Sequence, residues 1–136
     1  PREAHSVFFG GGTPSLLALA DMERILAALH GAFDLDGAEI TAEANPDDMT
    51  DDLASAWRAI GINRVSLGVQ SFDEDALRYL GRRHDADGAR KACAIVARHF
   101  DTWNLDLMFG AHPVGTWDAS LRETLAHGPM HVSAYG

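Results

Sequence analysis

Each of several short apolar stretches in this 136-residue chain stops at a residue able to do chemistry. Val7-Phe8-Phe9 runs straight into Gly10-Gly11-Gly12 and then Thr13-Pro14-Ser15, while Glu43, Gln70 and Asp106 stand at or near the ends of three later runs. Glycine removes the Cβ that would keep a ligand away from the backbone, and Pro14 stiffens the exit by fixing its own φ. Glycine carbonyls at a strand end can accept from an ammonium. Glu43 and Asp106 suit either a carboxylate pair for glycoside chemistry or acceptors for ribose hydroxyls. Gln70 offers a donor and an acceptor, and Arg82, one short helix further on, offers a fork for a ligand carboxylate. Ribose, carboxylate and ammonium together describe a nucleoside linked to an amino acid. The chain has no Gly-x-Ser-x-Gly elbow for a serine nucleophile, no dinucleotide fingerprint and no P-loop.

Positioning these groups falls to five strand-like runs, Ser6–Phe9, Glu39–Ala44, Arg64–Val69, Trp103–Phe109 and His131–Tyr135, with helical segments between them. Such alternation predicts βα units, a parallel sheet and right-handed crossovers. In the first helix Met22, Ile25, Leu26, Leu29 and Phe33 fall on one stripe, behind a poor N-cap at Ala18-Leu19-Ala20. The next is capped by Thr50, carries Asp51 and Asp52 at its positive end, buries Leu53, Trp57 and Ile60, and stops at Gly61. A short helix follows Ser71-Phe72-Asp73 and ends at Gly81; another begins at Asp85 and buries Ala89, Ala92, Cys93 and Val96 around an interior Gly88. The last runs from Thr116 to Ala126, with Gly128-Pro129 as its stop.

The two-residue period of a strand sorts these runs into faces. Ile40, Ala42 and Ala44 oppose Thr41 and Glu43; Val65, Leu67 and Val69 oppose Ser66, Gly68 and Gln70; Leu105 and Leu107 oppose Asn104, Asp106 and Met108. Helices on both sides would require strands apolar throughout, and a barrel filled by its own side chains would require bulky aliphatics inside. The pattern predicts instead a curved sheet with helices outside and a polar hollow, its reactive groups gathered at the C-terminal rim where parallel α/β barrels place their sites.

Composition excludes other classes. The apolar fraction of 46% and charged fraction of 23% are ordinary for a soluble domain. A net charge of −9 argues against a nucleic-acid footprint, and Arg82-Arg83-His84 is too small a basic cluster to reverse it. No run is long and apolar enough for a transmembrane segment, and none has the form of a signal peptide. Cys93 stands alone, which excludes a disulfide framework and fits a cytoplasmic home. The chain opens at Pro1 and closes on a strand, so it reads as an excerpt of one domain.

Five blocks in order carry a resemblance: Phe9-Gly10-Gly11-Gly12-Thr13-Pro14-Ser15, Glu43-Ala44-Asn45-Pro46, Gly68-Val69-Gln70-Ser71-Phe72, Leu80-Gly81-Arg82-x-His84 and Asn104-Leu105-Asp106-Leu107-Met108-Phe109-Gly110. The chain resembles the radical S-adenosylmethionine enzymes of the oxygen-independent coproporphyrinogen III oxidase family, and its wording is more similar to the heme chaperone branch than to the oxidase. The resemblance implies an α/β fold, a parallel-stranded partial TIM-type (β/α) barrel of which about five βα units are present. It implies S-adenosylmethionine beside a [4Fe-4S] cluster, with Gly11, Gly12 and Thr13 at the methionine end, Glu43 on the ribose, and Gln70, Arg82 and Asp106 completing the pocket. It also implies heme or a porphyrinogen as the molecule handled, and a heme-receiving protein as partner. The family's three-cysteine cluster motif and its C-terminal region are missing from residues 1–136, and Gly110-Ala111-His112-Pro113-Val114-Gly115 departs from the family's Gly-Leu-Pro-Gly. The excerpt alone is expected to be inactive and of marginal stability, because its edge strands lack neighbours.

Plainer readings stand beside these. Cys93, Trp57, Trp103 and Trp117 pack in the core or at its boundary, His84 is a satisfied structural group, and His112 belongs to loop surface. Glu43 and Asp106 could instead form buried salt bridges with Arg64 or Arg82. His5, His112, His131 and Asp106 could be drawn as the metal set of a barrel hydrolase, although no pair has zincin spacing.

Overall fold

A computed structural model describes residues 2–111 and 115–136. Its centre is a five-stranded sheet of β2 (Ser6–Phe9), β4 (Glu39–Ala44), β5 (Arg64–Gln70), β6 (Thr102–Met108) and β7 (His131–Tyr135). The strands lie side by side in chain order and all pairs are parallel. Sequential order without a reversal is that of a barrel wall, whereas a doubly wound sheet reverses direction partway.

The intervening helices are α1 (Leu19–Ala32), α2 (Asp51–Ala59), α3 (Glu74–Tyr79), α4 (Ala86–His99) and α5 (Thr116–His127). One continuous core joins Met22 and Leu26 of α1, Trp57 of α2 and Cys93 and Val96 of α4 to Ile40, Ala42, Val65, Leu67, Val69, Leu105 and Leu107 of the sheet. The apolar strand face therefore receives the helices. Cys93 is fully buried there, and burial pushes its thiol up to about 12, so it packs as a small apolar side chain.

Three helix starts are capped as their sequences dictate. Thr50 Oγ1 accepts from the Leu53 amide at 3.1 Å, Asp73 Oδ1 from Ala76 at 2.9 Å and Asp85 Oδ1 from Gly88 at 2.7 Å. Helix α1 starts at Ala18 without any side-chain cap and relies on packing. Asp51 ties the start of α2 to the end of α4, accepting from Arg98 at 2.8 Å and lying 2.9 Å from His99 Nε2. These partners hold its carboxyl below the ordinary value of 3.8.

Four local expectations are corrected. Phe33 does not continue the α1 stripe: it begins β3 (Phe33–Asp34), which pairs with β1 (Arg2–Glu3), a two-residue ladder too short to show alternation. Ile25 is 41% exposed, because the core is met by the narrower line of Met22 and Leu26. The fourth long strand begins one residue earlier than expected and ends at Met108, and the third continues through Gln70. The readings placed on His112 and on the loop through residue 114 lie outside the described residues.

Two outcomes are expected of denaturant unfolding. Asp85→Ala removes a cap and lowers stability by about 1 kcal/mol, and Trp57→Ala, at a fully buried position, by about 3–5 kcal/mol. For pH, the unfolded chain protonates Asp51 before the folded chain does. The stability this carboxylate contributes is therefore present above 3.8 and lost as pH falls through its lowered value. Asp51→Asn flattens that acid limb in urea midpoints measured against pH.

Candidate functional site

Beneath the rim, the polar face of the sheet is held together by its own side chains. Glu43, Ser66, Asn104 and His131 lie in consecutive register across β4, β5, β6 and β7. Asn104 Nδ2 donates to Ser66 Oγ and to Asp106 Oδ1, both at 2.7 Å; Ser66 Oγ donates to Asp106 Oδ2 at 3.3 Å, and Ser133 Oγ to Asn104 Oδ1 at 3.2 Å. Ser66 and Asn104 are buried and fully partnered, which removes the cost of an unpaired polar group. Asp106, less enclosed, closes the floor.

Above that floor opens a cavity of about 210 Å³ lined by Gly12, Thr13, Glu43, Gln70, Arg82 and Asp106, together with Asn45, Ser66, Gly68 and Tyr135 among others. Gly11 lies one residue outside, in a neighbouring apolar groove with Phe9 and Met22, and donates its amide to Glu43 Oε2 at 3.0 Å. The structure thus brings all seven expected residues to one rim. Gly11 and Gly12 hold φ of +77° and +59°, a turn that side chains with a Cβ rarely adopt. A Cβ at Gly10 would lie 2.5 Å from the Phe8 ring and 3.3 Å from the Glu43 carboxyl carbon, so the glycine run lets Glu43 approach the backbone. Ser15 anchors the exit, donating to Asp48 Oδ2 at 2.7 Å and accepting from the Asn45 amide at 3.4 Å.

The far wall is irregular. Strand β5 gains one residue against β6 between Leu67 and Gln70, a β-bulge of the kind that re-aims side chains beside functional sites. The Ser71 amide donates back to the Val69 carbonyl at 2.9 Å across Gln70, whose φ is +70°. That is a γ-turn of the rare, strained form, and among the described residues no other non-glycine has positive φ. Arg82 reaches in from the loop after α3, donating to Asn45 Oδ1 at 2.8 Å and to the Gly68 carbonyl at 3.3 Å. Two atoms of this wall are buried without partners: Gln70 Oε1, an acceptor, and Arg82 Nε, a donor.

The plainer readings resolve in the same geometry. Arg64 bridges neither Glu43 nor Asp106. It sits at the start of β5, pairs with Glu39 at 3.6 Å and donates to Thr41, while Arg82 is spent on an amide and a carbonyl. Among the described residues both site carboxylates are without a cationic partner, and no three histidine, cysteine or acidic side chains gather to hold a metal. His131 lies beside Arg64, opposite Asn104 and two residues short of the position that pairs with Asp106, His5 lies beside Glu3, and His112 is outside the described residues. Asn45, Ser66 and Tyr135 join the cavity although they were not singled out for it. For Ser66 the signal was its place on the polar face; for Tyr135 it was the end of a strand beside Asp106's strand.

Known proteins now give this arrangement a setting. Residues 1–121 match the Radical SAM superfamily. The chain is 38% identical over 98% of its length to the heme chaperone HemW of Escherichia coli and 38% identical over 96% to that of Synechocystis. It is 41% identical over 98% to the mitochondrial radical S-adenosyl methionine domain-containing protein 1 of Bos taurus. Among solved structures, coproporphyrinogen III oxidase (HemN) from Escherichia coli, a radical SAM enzyme, superposes with a TM-score of 0.84 at 27% identity, covering 99% of this chain. The archaeal Elp3 of Methanocaldococcus infernus shares the fold, with a TM-score of 0.80 at 20% identity. The chain spans about a third of the length of these relatives: 36%, 32% and 31% of the three sequences and 32% of HemN. A parallel sheet in chain order, a polar hollow at its C-terminal rim and a match over nearly all of its length place the chain in the Radical SAM superfamily.

Proposed function

We propose that residues 1–136 form the greater part of an S-adenosylmethionine-binding core, and that the longer protein is a heme chaperone. The observation that carries this reading is the donor set of the cavity. Two carboxylates without cationic partners suit a ligand bearing a sulfonium and an ammonium. Glu43 Oε2 is taken by Gly11, which leaves Oε1 for a ribose hydroxyl, while the bare glycine turn accommodates the methionine end. Arg82 Nε and Gln70 Oε1 are a spare donor and a spare acceptor that a carboxylate and a donor group of the ligand would complete. Asp106, held by Ser66 and Asn104, keeps its charge at a fixed place on the floor.

One-electron cleavage of the sulfonium carbon–sulfur bond is the chemistry that S-adenosylmethionine supplies when held beside a reduced [4Fe-4S] cluster. The protein's part in this chain is to fix the nucleoside and to keep water from the cavity. A cluster does not fit these residues: Cys93 is the single cysteine, buried in the core with a raised thiol pKa. The reading therefore places the cluster ligands, and the heme site, in sequence beyond these 136 residues. It carries a cytoplasmic home and a heme-accepting partner protein; among the described residues no helix is long and apolar enough to cross a membrane.

A second reading, oxidative decarboxylation of coproporphyrinogen, is favoured by the superposition on HemN. A mass spectrum separates the two. The chaperone binds heme and returns the porphyrinogen unchanged, whereas an oxidase yields a product of lower mass. In the full-length, anaerobically reconstituted protein, Glu43→Ala and Asp106→Ala each weaken S-adenosylmethionine binding by about tenfold or more in calorimetry, the loss of a hydrogen bond to a charged group. Circular dichroism stays unchanged. Wild-type affinity in both variants contradicts the assignment, and absence of broad visible cluster absorbance in the parent contradicts the class.

A further inference from the structure

The bulge in β5 creates a demand for donors that the sheet does not meet. Between Leu67 and Gln70 the ladder to β6 is out of register, and backbone carbonyls displaced from a ladder must find partners elsewhere. Two consecutive carbonyls are claimed by one loop: Arg82 donates to Gly68 at 3.3 Å, and His84 Nε2 lies 2.9 Å from the Val69 oxygen. The loop that joins α3 to α4 thus grips the end of β5 with two side chains two residues apart.

The Val69 carbonyl is also the acceptor of the γ-turn, since the Ser71 amide closes on the same oxygen. Gln70, the strained residue, sits between the two ends of that bond. A backbone conformation strained in this way persists only when its surroundings over-determine it. Here a second donor on one carbonyl supplies that determination. His84 is 5% exposed and is not among the residues that line the cavity. Its backbone turn packs against α4 at Gly88, where a Cβ would fall 3.7 Å from His84 Cβ and 3.1 Å from the capping Asp85 Oδ1. The glycine near the start of α4 leaves room for the capping Asp85 carboxylate, while the His84 contact is of ordinary van der Waals length. Burial first, and the nearby Arg82 charge, lower the His84 pKa from 6.5, opposed by the Val69 bond, Asp47 and Asp85. The neutral ring then carries its proton on Nε2, the nitrogen that faces an acceptor-only group.

We propose that His84 is a positioning residue of the cofactor pocket: its Nε2–H bond to the Val69 carbonyl holds Gln70 in the turn that aims its amide at the ligand. The proposal rests on the cofactor reading above. It assigns His84 no contact with the ligand; Gln70 makes the contact, and His84 acts through it.

A double-mutant cycle in the full-length protein tests this, with S-adenosylmethionine as the titrant and circular dichroism checking each fold. His84→Leu weakens binding by about tenfold, Gln70→Ala by a similar factor, and the double variant by no more than Gln70→Ala alone, because the two act as one unit. His84→Gln, which keeps an N–H at comparable reach, restores affinity to within about threefold of wild type. Unchanged binding in His84→Leu, or full additivity with Gln70→Ala, overturns the proposal. Should His84→Leu fail to fold, the ¹⁵N shifts of the wild-type histidines decide: a proton on Nε2 is required, and a bare Nε2 overturns the proposal. Failure of the cofactor reading looks different, with no binding heat in wild type or any variant while Nε2 remains protonated.

Discussion

The constraint on which this structure depends is that its sheet has one face suited to helices and one that is not. Ile40, Ala42, Val65, Leu67, Leu105 and Leu107 close against α1, α2 and α4. Thr41, Ser66 and Asn104, on the opposite side, are equally buried yet would each lose a hydrogen bond beneath an apolar layer. They are satisfied instead by one another, by Asp106 and by Arg64. Because Ser66 and Asn104 spend their polar capacity on each other and on Asp106, only Asp106 and the atoms at the rim remain available. Selection of a ligand therefore falls to Glu43, Gln70, Arg82, Asp106 and the glycine turn.

Charge is arranged to the same end. Arginine is plentiful in the chain, yet the ion pairs form elsewhere: Arg90 with Glu123 across α4 and α5, Arg98 with Asp51, Arg83 with Asp47 and Asp48. Arg82 is directed to an amide and a carbonyl, so its charge and those of the two carboxylates are not cancelled within the site. Strain is concentrated there too. The bulge and the γ-turn at Gln70 lie along the ring of the cavity, the usual place for backbone held against its own preference.

Much of this was legible in the sequence, for identifiable reasons. Strand and helix periods are local, so the five long strands, the cap at Thr50, the helix starts after Asp73 and at Asp85, and the two sheet faces followed from spacing alone. Convergence of Glu43, Gln70 and Asp106 followed from parallel topology, which puts all strand ends at one rim. What did not follow depends on non-local partners. The extra residue in β5 shows only against β6, and without it neither the turn at Gln70 nor the role of His84 can be inferred. Arg64 was an alternative partner for the carboxylates because its type fits them, but it lies at the start of its strand beside Glu39 and His131. Phe33 kept the helical phase while its backbone paired with Arg2.

The most direct measurement is a structure of the full-length protein with S-adenosylmethionine bound. The expected density lies between the Gly11–Thr13 turn and Asp106, with a ribose hydroxyl on Glu43 and with Arg82 Nε and Gln70 Oε1 newly partnered. A nucleoside bound elsewhere, with those two atoms still unpaired and the hollow of the sheet empty, would contradict the account.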